Sequence, residues 1–184
     1  MRTFVALDLE LTPVAPDRQR IIEVAAARFT DGEPSGTFSS LVNPSCELTL
    51  RVGILTGIHQ SQLDSAPSLA SIVPLLVAFV GNDPIVGQSI EMDMEQLAAS
   101  DVHLSNPVYD TFELATLLMP GLPTYDLASI ARELGVQPER EHRAVDDAVV
   151  AGTVFLTLVQ RASELGIPLL SRIDAVASNL PGWP

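Results

Sequence analysis

The chain has 184 residues, enough for one domain or one domain with a tail, and 23 acidic against 10 basic residues give a formal charge of −13. That balance argues against a surface that grips nucleic acid by phosphate neutralisation along its whole extent, but not against a local site that meets phosphate through divalent cations. A 47% hydrophobic content with only 5% aromatic residues provides a sizeable core of Ala, Val, Leu and Ile, and the single cysteine, Cys46, excludes an intrachain disulfide and a cysteine-cluster metal site.

Three strand candidates come first, TFVALDLEL (3–11), RIIEVAAARFT (20–30) and GTFSSLVNP (36–44), with the turn-forming DGEPSG between the last two reading as a hairpin loop. TLRVGILTGIHQSQL suggests short helical turns, and APSLASIVPLLVAFVG a helix with Pro67 near its start and Gly81 at its end. DPIVGQS (83–89) and NPVYDT (106–111) are short strands, each followed by a helical segment, EMDMEQLAAS and FELATLLMP. Further helices are expected at YDLASIARELG, where Tyr125 and Asp126 open the element, at RAVDDAVVAGTVFLTLVQRASELG and at LLSRIDAVASNL. Three early strands followed by strand–helix alternation indicate an α/β domain with a mixed sheet. The opening MRTFVALDLE has no signal-peptide layout and no apolar run approaches a membrane span, so a soluble, cytoplasmic protein without a membrane partner is expected. Residues 1–166 are read as the domain and 167–184, ending in LPGWP, as a C-terminal helix and tail linking to a further domain.

The acids carry the chemistry. Side chains alternate along a strand, so Phe4, Ala6, Asp8 and Glu10 share one face and Val5, Leu7, Leu9 and Leu11 the other. Asp8 and Glu10, about 6.5–7 Å apart along the backbone, either converge on a hard cation or lie on the solvated face of an edge strand. In HRAVDDA, helical spacing from Asp147 collects Ala144, Ala151 and Val154, whereas spacing from Asp146 collects the more mixed Val149, Val150, Thr153 and Gln160. Asp147 therefore turns towards the packed side, while Asp146 reads as a solvated acid at the positive end of the helix dipole. His142, five residues earlier, lies just ahead of that helix, within reach of the same site. Asp93 falls in the first turns of the helix after strand 83–89, with Glu91 and Glu95 as rivals; that segment alone reads as solvated acids. His59 and His103 have no acids around them and read as surface residues, and Asp110 as a satisfied structural acid.

In order and spacing, DLE (Asp8, Glu10), GQSIEMD (Asp93) and HRAVDD (His142, Asp147) resemble the DEDDh 3′–5′ exonucleases, the DnaQ-like branch of the ribonuclease-H-like superfamily. RIIEVAAARF, LVNP, LTGI and VYDT are similar to the family's linking segments, and the likeness runs from about residue 3 to 165. The chain departs from the family at Leu11, where threonine is common, at Gln88 and Ser89, where the family reads GHN, and at Met92 before the middle aspartate. The resemblance implies a ribonuclease-H-like fold, a central mixed five-stranded sheet flanked by helices. It implies a metal-dependent exonuclease that acts on DNA in proofreading or repair, releasing nucleoside monophosphates by two-metal phosphodiester hydrolysis. Asp8, Glu10 and Asp147 would hold one Mg²⁺ or Mn²⁺, with Asp8 bridging to a second that Asp93 supports, and His142 would be the general base. Leu11 and Thr12 through their backbone, and Leu55 and Thr56 through side chains, would meet the terminal nucleotide; for Leu55, core packing is the competing reading. The implied partners are single-stranded DNA with a 3′ end and a polymerase or helicase, separate or fused. An RNA-trimming enzyme and an inactive nuclease fold serving as an interaction domain are the alternatives.

Overall fold

The structure is a computed structural model, and it describes residues 3–15, 18–136 and 143–165. β1 (Thr3–Ala15), β2 (Arg18–Thr30) and β3 (Glu33–Leu41) form a run of antiparallel strands. The β2–β3 loop is only Asp31 and Gly32, both at positive φ (52° and 92°), as a two-residue primed hairpin turn requires. That pair suffices for the reversal, so β3 starts at Glu33 and ends at Leu41, earlier than the 36–44 expected. β1 in turn runs four residues past Leu11, through Pro13. At Pro13 its only recorded ladder partner is Gln19 of β2, and a strand with one free side tolerates a residue lacking an N–H.

Three short helices follow, α1 (Leu50–Thr56), α2 (Gln60–Asp64) and α3 (Leu69–Val80). Pro67 stands outside α3, ahead of the Ser68 N-cap, and its carbonyl accepts the Asn43 amide at 2.9 Å. Then come β4 (Ile85–Gly87), α4 (Ile90–Ala98), β5 (Val108–Asp110), α5 (Thr111–Leu118), α6 (Leu127–Glu133) and α7 (Ala144–Ser163). Asp126 caps α6, accepting the Ser129 amide at 2.8 Å, in line with the helix start expected there. The strands form one sheet ordered β3-β2-β1-β4-β5, with β4 parallel to β1 and β5 parallel to β4. This is the mixed five-stranded sheet expected. The helix expected near 169–180, and the tail 167–184 as a whole, lie outside the described residues. No helix among the described residues is long and apolar enough to cross a membrane.

β1 is central, and its alternation divides the core. Val5, Leu7 and Leu9 pack with Val24, Ala26 and Ile85 against Ile72, Leu76 and Val80 of α3 and Ile90 and Leu97 of α4. Phe4 and Ala6 join Ala27, Phe29 and Val86 beneath α7, where they meet Ala148 and Phe155. Phe4 stacks on Phe29 with centroids 4.9 Å apart and meets Phe155 edge-on at 5.1 Å. Small residues bring α7 close: a Cβ on Gly152 would stand 2.2 Å from the Phe29 ring. The aspartate-bearing face of β1 is thereby held beneath the start of α7.

Candidate active site

Asp8 and Glu10 follow Phe4 and Ala6 on the α7 side of β1, beyond the Val5 and Ala6 pairings with β4. Because β1 is central, the reading of these two as acids of a solvated edge strand does not apply. Asp147 enters from the first turn of α7, and one carboxylate oxygen from each of Asp8, Glu10 and Asp147 lies within 4.8 Å of the others. Asp146, its neighbour in sequence, is not a member of this group.

Asp93 is buried in the first turn of α4, while its rivals Glu91 and Glu95 are exposed. Two features of the sheet edge set the entry of that helix. Ser89 adopts a left-handed conformation (φ 51°, ψ 41°) that turns the chain out of β4, and the Asp110 carboxylate accepts the Ser89 and Ile90 amides at 3.0 and 3.1 Å. Asp110 also caps α5 through the Phe112 amide at 2.7 Å, so the acid read as structural clamps two helix starts at once. Gln88 is tied down as well: its amide donates to the Tyr125 carbonyl at 2.7 Å, and its oxygen accepts the Thr111 hydroxyl at 2.6 Å.

The acids disturb one another. Burial first, then the charges of Asp93, Asp147, Glu10 and Glu23, raise the Asp8 carboxyl well above the ordinary range. Burial, then Asp147 and Glu23, push Glu10 to about 7, with Arg143 pulling it back. Burial, then Glu10 and Asp110, push Asp93 to about 8. Three carboxylates that each resist ionisation, Asp8, Glu10 and Asp93, with Asp147 beside them, form a poor structural core and a good cation trap, because bound positive charge removes both penalties together. An all-oxygen donor set of this kind suits a hard divalent ion, so the residues present fit one.

The residues proposed to meet the substrate lie at the end of β1 and on α1. Leu11 is partly buried against the main core, and Thr12 is fully buried, its hydroxyl accepting the Thr49 amide at 3.4 Å. Thr56 is buried too, donating to the Val52 carbonyl at 2.9 Å, but Leu55 is 49% exposed. Core packing therefore does not account for Leu55. His59 and His103 are exposed, as expected of surface residues, and His142 lies outside the described residues.

Sequence reasoning missed Glu23 and Arg143. Glu23 is fully buried in β2 and takes a two-pronged bond from Arg143, at 3.1 Å from Nε and 2.8 Å from Nη2. The available signal was a lone glutamate inside the apolar run IIEVAAA, which needs a partner if that run is buried.

A mixed sheet in this order, with acids from its first strand and last described helix converging at one end, defines a ribonuclease-H-like nuclease fold. An exonuclease family, RNase_T, matches residues 5–155. The PolC-type DNA polymerase III of Thermotoga petrophila is 34% identical over 183 residues, covering 97% of this chain but only 13% of that protein. The DNA polymerase III subunit epsilon of Aquifex aeolicus is 31% identical over 163 residues, 86% of this chain and 81% of its own length. Among solved structures, the nuclease domain of 3′hExo, a DEDDh family member, bound to rAMP, shares the fold with a TM-score of 0.75 at 19% identity, covering 89% of this chain and 94% of that one. Exonuclease X in complex with 5′ overhanging duplex DNA also has a TM-score of 0.75, at 17% identity over 88% of this chain and 94% of that one. The chain belongs to the DnaQ-like family of 3′–5′ exonucleases.

Proposed function

We propose that the protein removes nucleotides from the 3′ end of DNA, in proofreading or repair, by two-metal hydrolysis with His142 as general base. The observation that carries this reading is the convergence of Asp8, Glu10 and Asp147 within 4.8 Å, with Asp93 buried and electrostatically coupled to Asp8 and Glu10. In this reading Asp8, Glu10 and Asp147 would hold one Mg²⁺ or Mn²⁺, and Asp8 and Asp93 would hold a second. Such a pair would supply positive charge at the scissile phosphate and stabilise the attacking and leaving oxygens. His142 takes the proton of the attacking water, the general-base role that histidine most often fills. Leu11 and Thr12 present backbone to the terminal nucleotide, and the exposed Leu55 and neighbouring Thr56 flank it.

DNA is favoured as substrate because the relatives above 30% identity are DNA polymerase III proteins. The acidic composition, −13 overall, gives little long-range attraction for polymer, so a polymerase or helicase partner, or a fused domain, supplies processivity. A cytoplasmic setting goes with that role. The test is digestion of 5′-labelled single-stranded DNA and matching RNA with Mg²⁺, Mn²⁺ or EDTA, beside Asp8→Ala. A metal-dependent ladder shortening from the 3′ end of DNA, absent in the variant, is expected. Faster loss of RNA would transfer the substrate class to RNA trimming, and no cleavage of either would leave an inactive interaction domain.

A further inference from the structure

One buried charged group takes no part in the chemistry proposed above. Glu23 is paired in register with Glu10, so their side chains lie on the same face of the sheet, beneath α7. Its oxygens receive Arg143 Nε and Nη2 at 3.1 and 2.8 Å, the Ala144 amide at 3.4 Å and the Ser39 hydroxyl at 3.4 Å. Arg143 is the N-cap of α7, and its carbonyl accepts the amides of Asp146 at 2.9 Å and Asp147 at 3.0 Å. One residue thus grips β2 with its side chain and holds Asp147 with its main chain. Neither contact is needed to seat the helix as a whole, which already rests on Phe4, Phe29 and Val86 through Ala148 and Phe155.

We propose that the Glu23–Arg143 pair is the positioning device of this site, fixing the first turn of α7 against β1 so that Asp147 meets Asp8 and Glu10. The pair also keeps Glu23, a further carboxylate beside the cluster, engaged with a guanidinium and out of the metal-binding set. A planar two-pronged guanidinium suits this work, because it fixes orientation as well as charge, which a lysine ammonium does not. The inference rests on the cluster holding metal, as proposed above.

The test compares Arg143→Lys, Arg143→Ala and the apolar pair Glu23→Leu/Arg143→Met with wild type. The readouts are thermal unfolding, Mn²⁺ affinity by calorimetry, and kcat and KM on a short oligonucleotide with a 3′ end. Glu23 is fully buried and the Arg143 side chain 34% exposed, and replacing both members of a pair buried on one side with apolar residues is often neutral to stability. A purely structural pair would then be dispensable, and the double variant would bind Mn²⁺ and turn over as wild type does. Positioning predicts a folded double variant with Mn²⁺ affinity and kcat each down by roughly 10–100-fold, as for other groups that orient metal ligands, and with KM little changed. Arg143→Lys should fall between Arg143→Ala and wild type, and it carries the comparison if the apolar pair does not fold. Wild-type Mn²⁺ affinity and kcat in Arg143→Lys or in the double variant would overturn the proposal. Absence of Mn²⁺ binding by wild type would instead strike at the metal-holding reading itself.

Discussion

Glu10 on β1 and Glu23 on β2 stand directly opposite each other in the antiparallel ladder, two carboxylates paired where like charges repel. The ladder slips by one residue immediately after this pair, where Leu11 aligns with Ile21 and Ile22 is the extra residue. Arg143 forms its hydrogen bonds with Glu23 and reaches Glu10 only through its charge, while Glu10 faces Asp8 and Asp147. The arrangement is costly in the metal-free chain, and the cost is measurable.

Glu10 and Asp93, raised from 4.5 to about 7 and from 3.8 to about 8, keep protons in the native chain at pH values where the unfolded chain has lost them. The native state then binds more protons, so stability is full below the ordinary carboxylate range and declines as pH rises towards 7–8. In EDTA the melting temperature should fall between pH 5 and pH 8.5, at about 2–4 °C per kcal/mol lost. Saturating Mg²⁺ should flatten that slope, because it binds the ionised carboxylates. A melting temperature in EDTA that is level or rising over this range would contradict the assignment.

Asp146 and Asp147 are adjacent aspartates, yet only Asp147 shares the cluster with Asp8 and Glu10. Asp147→Asn should lose Mn²⁺ binding and exonuclease turnover together. Asp146→Asn should leave Mn²⁺ affinity within about twofold of wild type, because its carboxylate lies outside the Asp8–Glu10–Asp147 cluster and substitutions outside such a feature usually move free energies by about 0.5 kcal/mol or less. Calorimetry on the two variants decides this, and equal losses in both would deny Asp147 its special place.

Gly152 lies in the middle of α7, where alanine would ordinarily gain about 1 kcal/mol of helix propensity. Here the added Cβ would stand 2.2 Å from Cε2 of the fully buried Phe29. Overpacking costs about 1–3 kcal/mol, so it outweighs propensity unless the ring gives way. Gly152→Ala should lower the melting temperature and, by lifting α7, weaken Mn²⁺ binding at Asp147. A higher melting temperature would show that the ring yields without moving the helix.

Ser89 holds a left-handed conformation at φ 51°, which costs a side-chain-bearing residue roughly 1–2 kcal/mol. Asparagine adopts it more readily and stands at this point in the family pattern. Ser89→Asn should therefore recover part of that roughly 1–2 kcal/mol, read as a rise in denaturation midpoint with unchanged m-value. Its amide bond to Asp110 at 3.0 Å is retained, so Asp93 keeps its place. A loss of stability would mean that the serine hydroxyl does something the backbone geometry does not reveal.

Much of the site was legible without coordinates, because periodicity is a local property of the chain. Alternation along β1 put Asp8 and Glu10 on one face, and helical spacing in α7 turned Asp147 rather than Asp146 towards the packed side. The ordered motifs pointed to the family, and the mixed sheet followed from strands that give way to strand–helix alternation. Segment ends were read less well: β1 outran its expected end because β2 continued to pair with it, and β3 began early because two residues were enough to turn the chain.

Tertiary structure alone decided the rest. Whether Asp8 and Glu10 are solvated or confined depends on β1 being central, which is a matter of strand order and not of strand sequence. Glu23 meets Glu10 through ladder register, and it meets Arg143 across 120 residues of chain. The crowding at Gly152 comes from Phe29 of β2, which packs beneath it from a distant part of the chain. A sequence states which residues recur on one face of one element; which faces then meet is set by the packing of the described residues, and here that packing placed a buried glutamate and its arginine beside the clustered acids Asp8, Glu10 and Asp147.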